Sequence, residues 1–181
     1  MCMRRIILIT GGQRSGKSSY AEQLAQRLSA TPVYMATATA DDDEMRLRVA
    51  RHRARRGSRW TTIEEPRHLS RHDVGHRVVV VDCVTLWCTN YIMSMPEADV
   101  SDLLREITAE FDRLTSQDAT FIFVTNEVGS GGVSANALQR SFTDLQGWVN
   151  QYIAARADEV ILMVSGIAVK IKQSKGADSE G

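Results

Sequence analysis

Residues 6–18 read IILITGGQRSGKS. The short apolar run IILIT, closed by glycines, reads as a buried strand. The eight residues that follow it, 11–18, fit the pattern G-x-x-x-x-G-K-[ST], with Gly11, Gly16, Lys17 and Ser18 at the fixed places. Beyond them Ala21, Leu24, Ala25 and Leu28 recur at helical spacing, so a helix with one buried face is expected over 18–28, ending before Pro32. Strand, glycine loop and helix in that order form a phosphate site. Glycines allow the tight turn, loop N–H groups converge on an anion, and the helix N-terminus adds positive potential. In such a loop Lys17 holds the β- and γ-phosphates of a nucleotide, and Ser18 ligates Mg²⁺.

The pattern continues outward from this loop. VYMAT at 33–37, RVVVVDC at 77–83, ATFIFVTNE at 119–127 and DEVILMVSG at 158–166 read as further strands. Helices are expected over 41–56, where Asp41 and Glu44 resemble a capping box, over 99–114, and over about 136–156. Strands alternating with helices imply an α/β fold: a mostly parallel sheet flanked by helices, here of the P-loop NTPase type, RecA-like. No Pro/Gly-rich linker divides the chain, so residues 1–174 read as one catalytic domain. The tail KGADSEG at 175–181 reads as disordered. Asp82 follows four valines at the carboxyl edge of its strand, where such sheets bind ligands. Paired with the phosphate loop, it is a second candidate for the metal.

Composition bounds the alternatives. The 181 residues carry 22 Lys and Arg against 22 Asp and Glu. That zero balance argues against a dedicated nucleic-acid binder, because the basic run is local. Three cysteines form no metal-ligand spacing and suit a reduced compartment. The apolar run at the start is too short for a signal-peptide core. No segment approaches the roughly 18 apolar residues of a membrane span. A cytoplasmic chain is the expectation.

The local basic run is VARHRARRG, 49–57, with Arg51, Arg53, Arg55 and Arg56 around His52. It reads as a solvated helix face, a nucleic-acid patch or an anion site. On a helix Met45, Val49, His52 and Arg56 share one side, which also fits a core histidine. The arginines disfavour imidazolium and keep His52 neutral at pH 7, the form that attacks as a nucleophile. The residues alone leave these readings open.

Several blocks together resemble a known family. They are ITGGQRSGKSSYAEQLA at 9–25, VYMATA at 33–38, DDEMRLRVARHRARRGSRWTTIEEP at 42–66, VTNEVGSGGVSANALQRSF at 124–142 and GWVNQYIAARADEVILMVSGIAVKIK at 147–172. The chain resembles the bifunctional adenosylcobinamide kinase/adenosylcobinamide-phosphate guanylyltransferases of cobalamin biosynthesis. The phosphate loop is generic; the two blocks around RHR and VTNEVG are specific. The resemblance implies that His52 carries a covalent GMP. It implies GTP contacts from Gly11, Gly12, Gln13, Arg14, Ser15, Gly16, Lys17 and Ser18, from Ala36, Thr37 and Ala38, from Arg53, Ala54, Arg55 and Arg56, and from Glu64 and Asp82. It implies GTP, ATP and the corrinoid adenosylcobinamide as substrates, Mg²⁺ as the metal, and a homotrimer. It also suggests a corrinoid- or metal-side role for Asn126 and Glu127, without assigning one.

Two departures from the family pattern stand out. Arg51 occupies a place that is often a second histidine, and Val133-Ser134-Ala135-Asn136 replaces a proline–acid–asparagine run. Trp60 is expected in the core. Arg140 and Lys170–Lys172 are expected to be surface charges. The competing enzyme reading is a P-loop small-molecule kinase with no covalent intermediate.

Overall fold

A computed structural model describes residues 4–39, 54, 56–129 and 132–173. The sheet has seven strands: β1 (Arg5–Gly11), β2 (Val33–Ala36), β3 (Thr61–Glu64), β4 (Val78–Asp82), β5 (Thr120–Val124), β6 (Glu159–Val164) and β7 (Ile167–Gln173). Their spatial order is β3-β2-β4-β5-β1-β6-β7, and every pairing is parallel except the β6–β7 hairpin. Four longer helices follow the strands: α1 (Lys17–Leu28), α2 (Val84–Ser94), α3 (Val100–Thr115) and α4 (Ala137–Arg156). This is the P-loop NTPase arrangement, with β5 set between the phosphate-loop strand β1 and the Asp82 strand β4.

Side chains alternate across the sheet, so each strand feeds two cores. Ile6, Leu8, Met35, Val79, Val81, Phe121 and Phe123 face α2, α3 and α4, where Trp87, Ile107, Phe111, Leu114, Val149 and Ile153 meet them. Ile7, Ile9, Val78, Val80, Ile122 and Ile161 face the other way, toward Ala21 and Ala25 of α1 and toward Trp60. Burial on both faces explains why the central strands read as unbroken apolar runs.

Helix ends are set locally. Asp99 caps α3 by accepting from the Asp102 N–H at 2.8 Å, and Asn136 caps α4 by accepting from the Gln139 N–H at 3.2 Å. The Val133–Asn136 departure from the family pattern therefore keeps a working cap. Arg140 donates to the Ser134 and Ala135 carbonyls of the same turn. It is exposed, as expected.

Two strands and one helix were not foreseen. β3 is four residues at a margin. β7 is the exposed arm of a hairpin, where Lys170 pairs with Glu159 at 3.2 Å and Lys172 donates to the last carbonyls of α4. The α2 sequence VTLWCTNYIMS has no polar stripe, because it lies between α3, α4 and the loop after β3 and buries Val84, Trp87, Cys88 and Tyr91. Of the helix expected over 41–56, only Ala54 and Arg56 are among the described residues, and both have helical backbone. The tail at 175–181 lies outside them.

Candidate active site

Gly11 leaves β1 at φ +149, and a Cβ there would run into the Met163 carbonyl oxygen. Only glycine lets the chain pass. Arg14 at the loop apex takes φ +58, and Gly16 at φ +95 starts α1 without any side-chain cap. The first amides of α1 therefore stay open to an anion. A hydrogen bond from the Gly166 N–H to the Ser15 carbonyl, 3.0 Å, ties the loop to the β6–β7 turn.

Lys17 is buried, 7 % exposed. Its ammonium donates to the Gly12 carbonyl and, at 3.4 Å, to Ser15 Oγ. Burial lowers its pKa from the usual lysine value, against the opposing pull of Cys83 and Asp82. An anion arriving in the loop would restore what burial takes away.

A cavity of about 420 Å³ opens over this loop at the carboxyl edge of the sheet. Gln13, Arg14, Ser15, Gly16, Lys17 and Ser18 are among its lining, as are Ala36, Ala38, Arg56, Glu64 and Asp82. Gly11 and Gly12 border a second cavity, of about 330 Å³, on the far side of the loop with Glu127. Thr37 is fully buried, and its hydroxyl both donates to the Cys83 carbonyl and accepts from the Cys83 N–H, each at 2.8 Å. It braces the turn after Asp82 rather than facing the cavity. Ala54 is exposed. His52, Arg53 and Arg55 lie outside the described residues.

Sequence reasoning missed Tyr34. It is buried on β2, lines the cavity, and donates its hydroxyl to Asp82 Oδ2 at 2.7 Å. Burial, then the Asp82 charge, pushes its pKa far up and keeps it a donor. The Arg56 guanidinium lies 3.5 Å over its ring, and Trp60 meets it edge-on at 6.0 Å. Trp60 is in the core, as expected. A tyrosine inside an otherwise aliphatic strand was the available signal, since a buried hydroxyl needs a partner. Ser19, Thr62, Cys83, Thr85, Leu86, Val124 and Asn126 complete the lining.

Ser18 and Asp82 both line this cavity and both offer oxygen. That donor chemistry fits Mg²⁺, which takes one or two protein oxygens and completes its shell with water and phosphate. Among the described residues no three or more His, Cys, Asp or Glu side chains cluster as a metal site. No helix is long and apolar enough to cross a membrane among those residues.

Residues 7–171 match the family model described as cobinamide kinase / cobinamide phosphate guanyltransferase. The bifunctional adenosylcobalamin biosynthesis protein CobP of Pseudomonas aeruginosa is 41% identical over 170 residues, covering 91% of this chain and 96% of that one. The corresponding protein CobU of Escherichia coli is 41% identical, covering 92% of this chain and 99% of its own length. Among solved structures, a prototypical ATPase from the type III secretion system of pathogenic bacteria superposes with a TM-score of 0.57 at 14% identity, over 93% of this chain and 57% of that one. The flagellar accessory protein FlaH of Methanocaldococcus jannaschii gives 0.50 at 15% identity, over 95% and 80%. These two likenesses bear on the fold alone.

Proposed function

Since the chain belongs to the cobinamide kinase / cobinamide phosphate guanyltransferase family, we propose that it phosphorylates adenosylcobinamide and then joins GMP from GTP to the resulting phosphate, giving adenosylcobinamide-GDP. The observation that carries this reading is the convergence of Lys17, Ser18, Asp82 and Arg56 on one cavity.

In the first step the loop amides and Lys17 hold the triphosphate of ATP or GTP in line with the corrinoid hydroxyl. That hydroxyl oxygen bonds to the γ-phosphorus, the bond to the β-phosphate oxygen breaks, and the hydroxyl proton is released. Positioning and charge neutralisation supply the acceleration. Ser18 and Asp82 would hold Mg²⁺, which when bound offsets phosphate charge.

In the second step His52 attacks the α-phosphorus of GTP. A nitrogen–phosphorus bond forms and pyrophosphate leaves. The corrinoid phosphate oxygen then attacks the same phosphorus, the nitrogen–phosphorus bond breaks, and the histidine is regenerated. Arg56 at the cavity wall, with the other arginines of the run, would offset the charge of the departing pyrophosphate. His52 precedes Arg56 by four residues in the sequence, and Arg56 lines the cavity, which supports this reading. A homotrimer belongs to the same proposal and is read by sedimentation equilibrium.

The test is incubation with Mg²⁺ and GTP labelled at the α-phosphorus, followed by denaturation at alkaline pH, where a phosphoramidate survives. Label on wild type and none on His52→Ala supports the covalent route. An unlabelled wild type removes it and leaves the kinase step alone.

A further inference from the structure

Asn126 stands two residues past the end of β5. Val124 is level with Ile9 on one side and Asp82 on the other. Position 126 is thus one pleat nearer the rim than Asp82, between the two strands that deliver the phosphate loop and that carboxylate. Val124 and Asn126 both line the cavity, as the alternation of a strand continued by one step requires.

The main chain here is held from three elements. The Thr125 N–H donates to the Ile9 carbonyl at 2.9 Å and the Glu127 N–H to the Gly11 carbonyl at 3.0 Å, both on β1. The Asn126 N–H donates to Thr85 Oγ1 at 3.1 Å, in the first turn of α2. Its carbonyl accepts from Asn150 Nδ2 at 3.2 Å, on α4. Behind that contact Asn150 Oδ1 accepts from Thr125 Oγ1 at 2.7 Å and from Gln146 Nε2 at 3.1 Å, and Gln146 Nε2 also donates to Thr125 Oγ1 at 2.8 Å.

Thr125 and Gln146 are fully buried, and Gln146 Oε1 has no hydrogen-bond partner among the described residues. An apolar side chain on that face of α4 would avoid the cost of burying an amide. What the polar set does is fix the path of residues 125–127 relative to the loop and to Asp82. With its N–H and C=O both committed, Asn126 offers the cavity its carboxamide.

We propose that the Asn126 carboxamide donates a hydrogen bond to the terminal phosphate of a nucleoside triphosphate held by the phosphate loop, with Thr125, Gln146 and Asn150 as positioning residues that aim it. This rests on reading the cavity as the nucleotide site. The amide is a donor without charge, so it separates triphosphate from diphosphate by reach rather than by general attraction. Lys17, by contrast, attracts either.

The test is calorimetric titration with GDP and with a β,γ-methylene analogue of GTP, both with Mg²⁺. Wild type, Asn126→Ala, Asn126→Asp and Gln146→Leu are compared at equal folded content by circular dichroism. Asn126→Ala is expected to weaken the triphosphate analogue about tenfold and to leave GDP within about twofold. Asn126→Asp weakens the analogue further, because a carboxylate then faces phosphate. Gln146→Leu moves the triphosphate-to-diphosphate ratio in the same direction by less, a readout that general destabilisation does not shift. Equal weakening of both nucleotides, or of neither, overturns the inference and leaves the nucleotide site standing. A wild type that binds neither nucleotide overturns both.

Discussion

The two faces of the sheet are built for different work. Under α2, α3 and α4 the core is thick and aromatic, with the polar side chains of Thr125, Gln146 and Asn150 gathered at its carboxyl end. Trp87, Phe111, Phe121 and Phe123 are fully buried, and Phe111 and Phe123 lie 5.1 Å apart between ring centres. The fully buried acid Glu110 is doubly satisfied by Arg113 and by the Ser70 N–H. Under α1 the core is thin, since Ala21 and Ala25 are the fully buried apolar residues that α1 gives it. At its carboxyl end that face holds Tyr34, Arg56 and Lys17 beside Asp82. Arg56 Nε and Nη1 are buried without hydrogen bonds among the described residues, 3.9 Å from Glu22 at the nearest ion-pair distance. One face supplies stability. The other spends some of it on keeping cations aimed at the cavity.

That contrast breaks if variants on the two faces behave alike. Phe111→Ala is expected to cost about 3–5 kcal/mol in urea unfolding, with nucleotide affinity of the folded protein within about twofold. Lys17→Ala is expected to lower phosphoryl transfer roughly 10²–10³-fold, with a melting temperature equal to or above wild type because a buried ammonium is gone. A large fall in melting temperature for Lys17→Ala would erase the distinction.

Smaller effects sharpen it. Tyr34→Phe removes the donor to Asp82 and should cost about 1 kcal/mol by the same unfolding measurement. At the opposite end of the sheet Glu159 links Arg5 to Lys170. Burial alone would raise its pKa, but hydrogen bonds from Arg5 and Lys170 outweigh it and hold the carboxyl below the usual glutamate range. A depressed carboxyl adds stability above that range and loses it as pH falls through the folded value. Glu159→Gln should therefore cost about 1 kcal/mol at pH 7, and the difference should close in acid. Finally, burial and then the Asp82 charge push the Cys83 thiol up to about 11. Its alkylation at pH 8, followed by peptide mass, should run about a hundredfold slower than that of an exposed thiol and rise with pH.

The same contrast governs how much was legible in the sequence. The central strands, α1 and α3 follow from apolar periodicity, and the end of α1 from Pro32, while the caps Asp99 and Asn136 emerge only in the structure. α2 was invisible because a helix covered on several sides has no stripe to read. β3 and β7 were missed because margin strands carry weak patterns; the lysines of β7 read only as surface charge. Within the site, the phosphate loop and Asp82 announce themselves through local spacing. Tyr34, Thr37 and Asn126 matter through partners 48, 46 and 41 positions away in the chain, at Asp82, Cys83 and Thr85, which spacing cannot show. The family was readable because its two specific blocks are contiguous.

The central claim is that one chain carries both transfers through this cavity. The most direct measurement is mass spectrometry of adenosylcobinamide incubated with the protein, Mg²⁺, ATP and GTP. Wild type is predicted to yield adenosylcobinamide-GDP, while His52→Ala stops at adenosylcobinamide phosphate. Accumulation of the phosphate with wild type, or the GDP product with His52→Ala, would contradict the account.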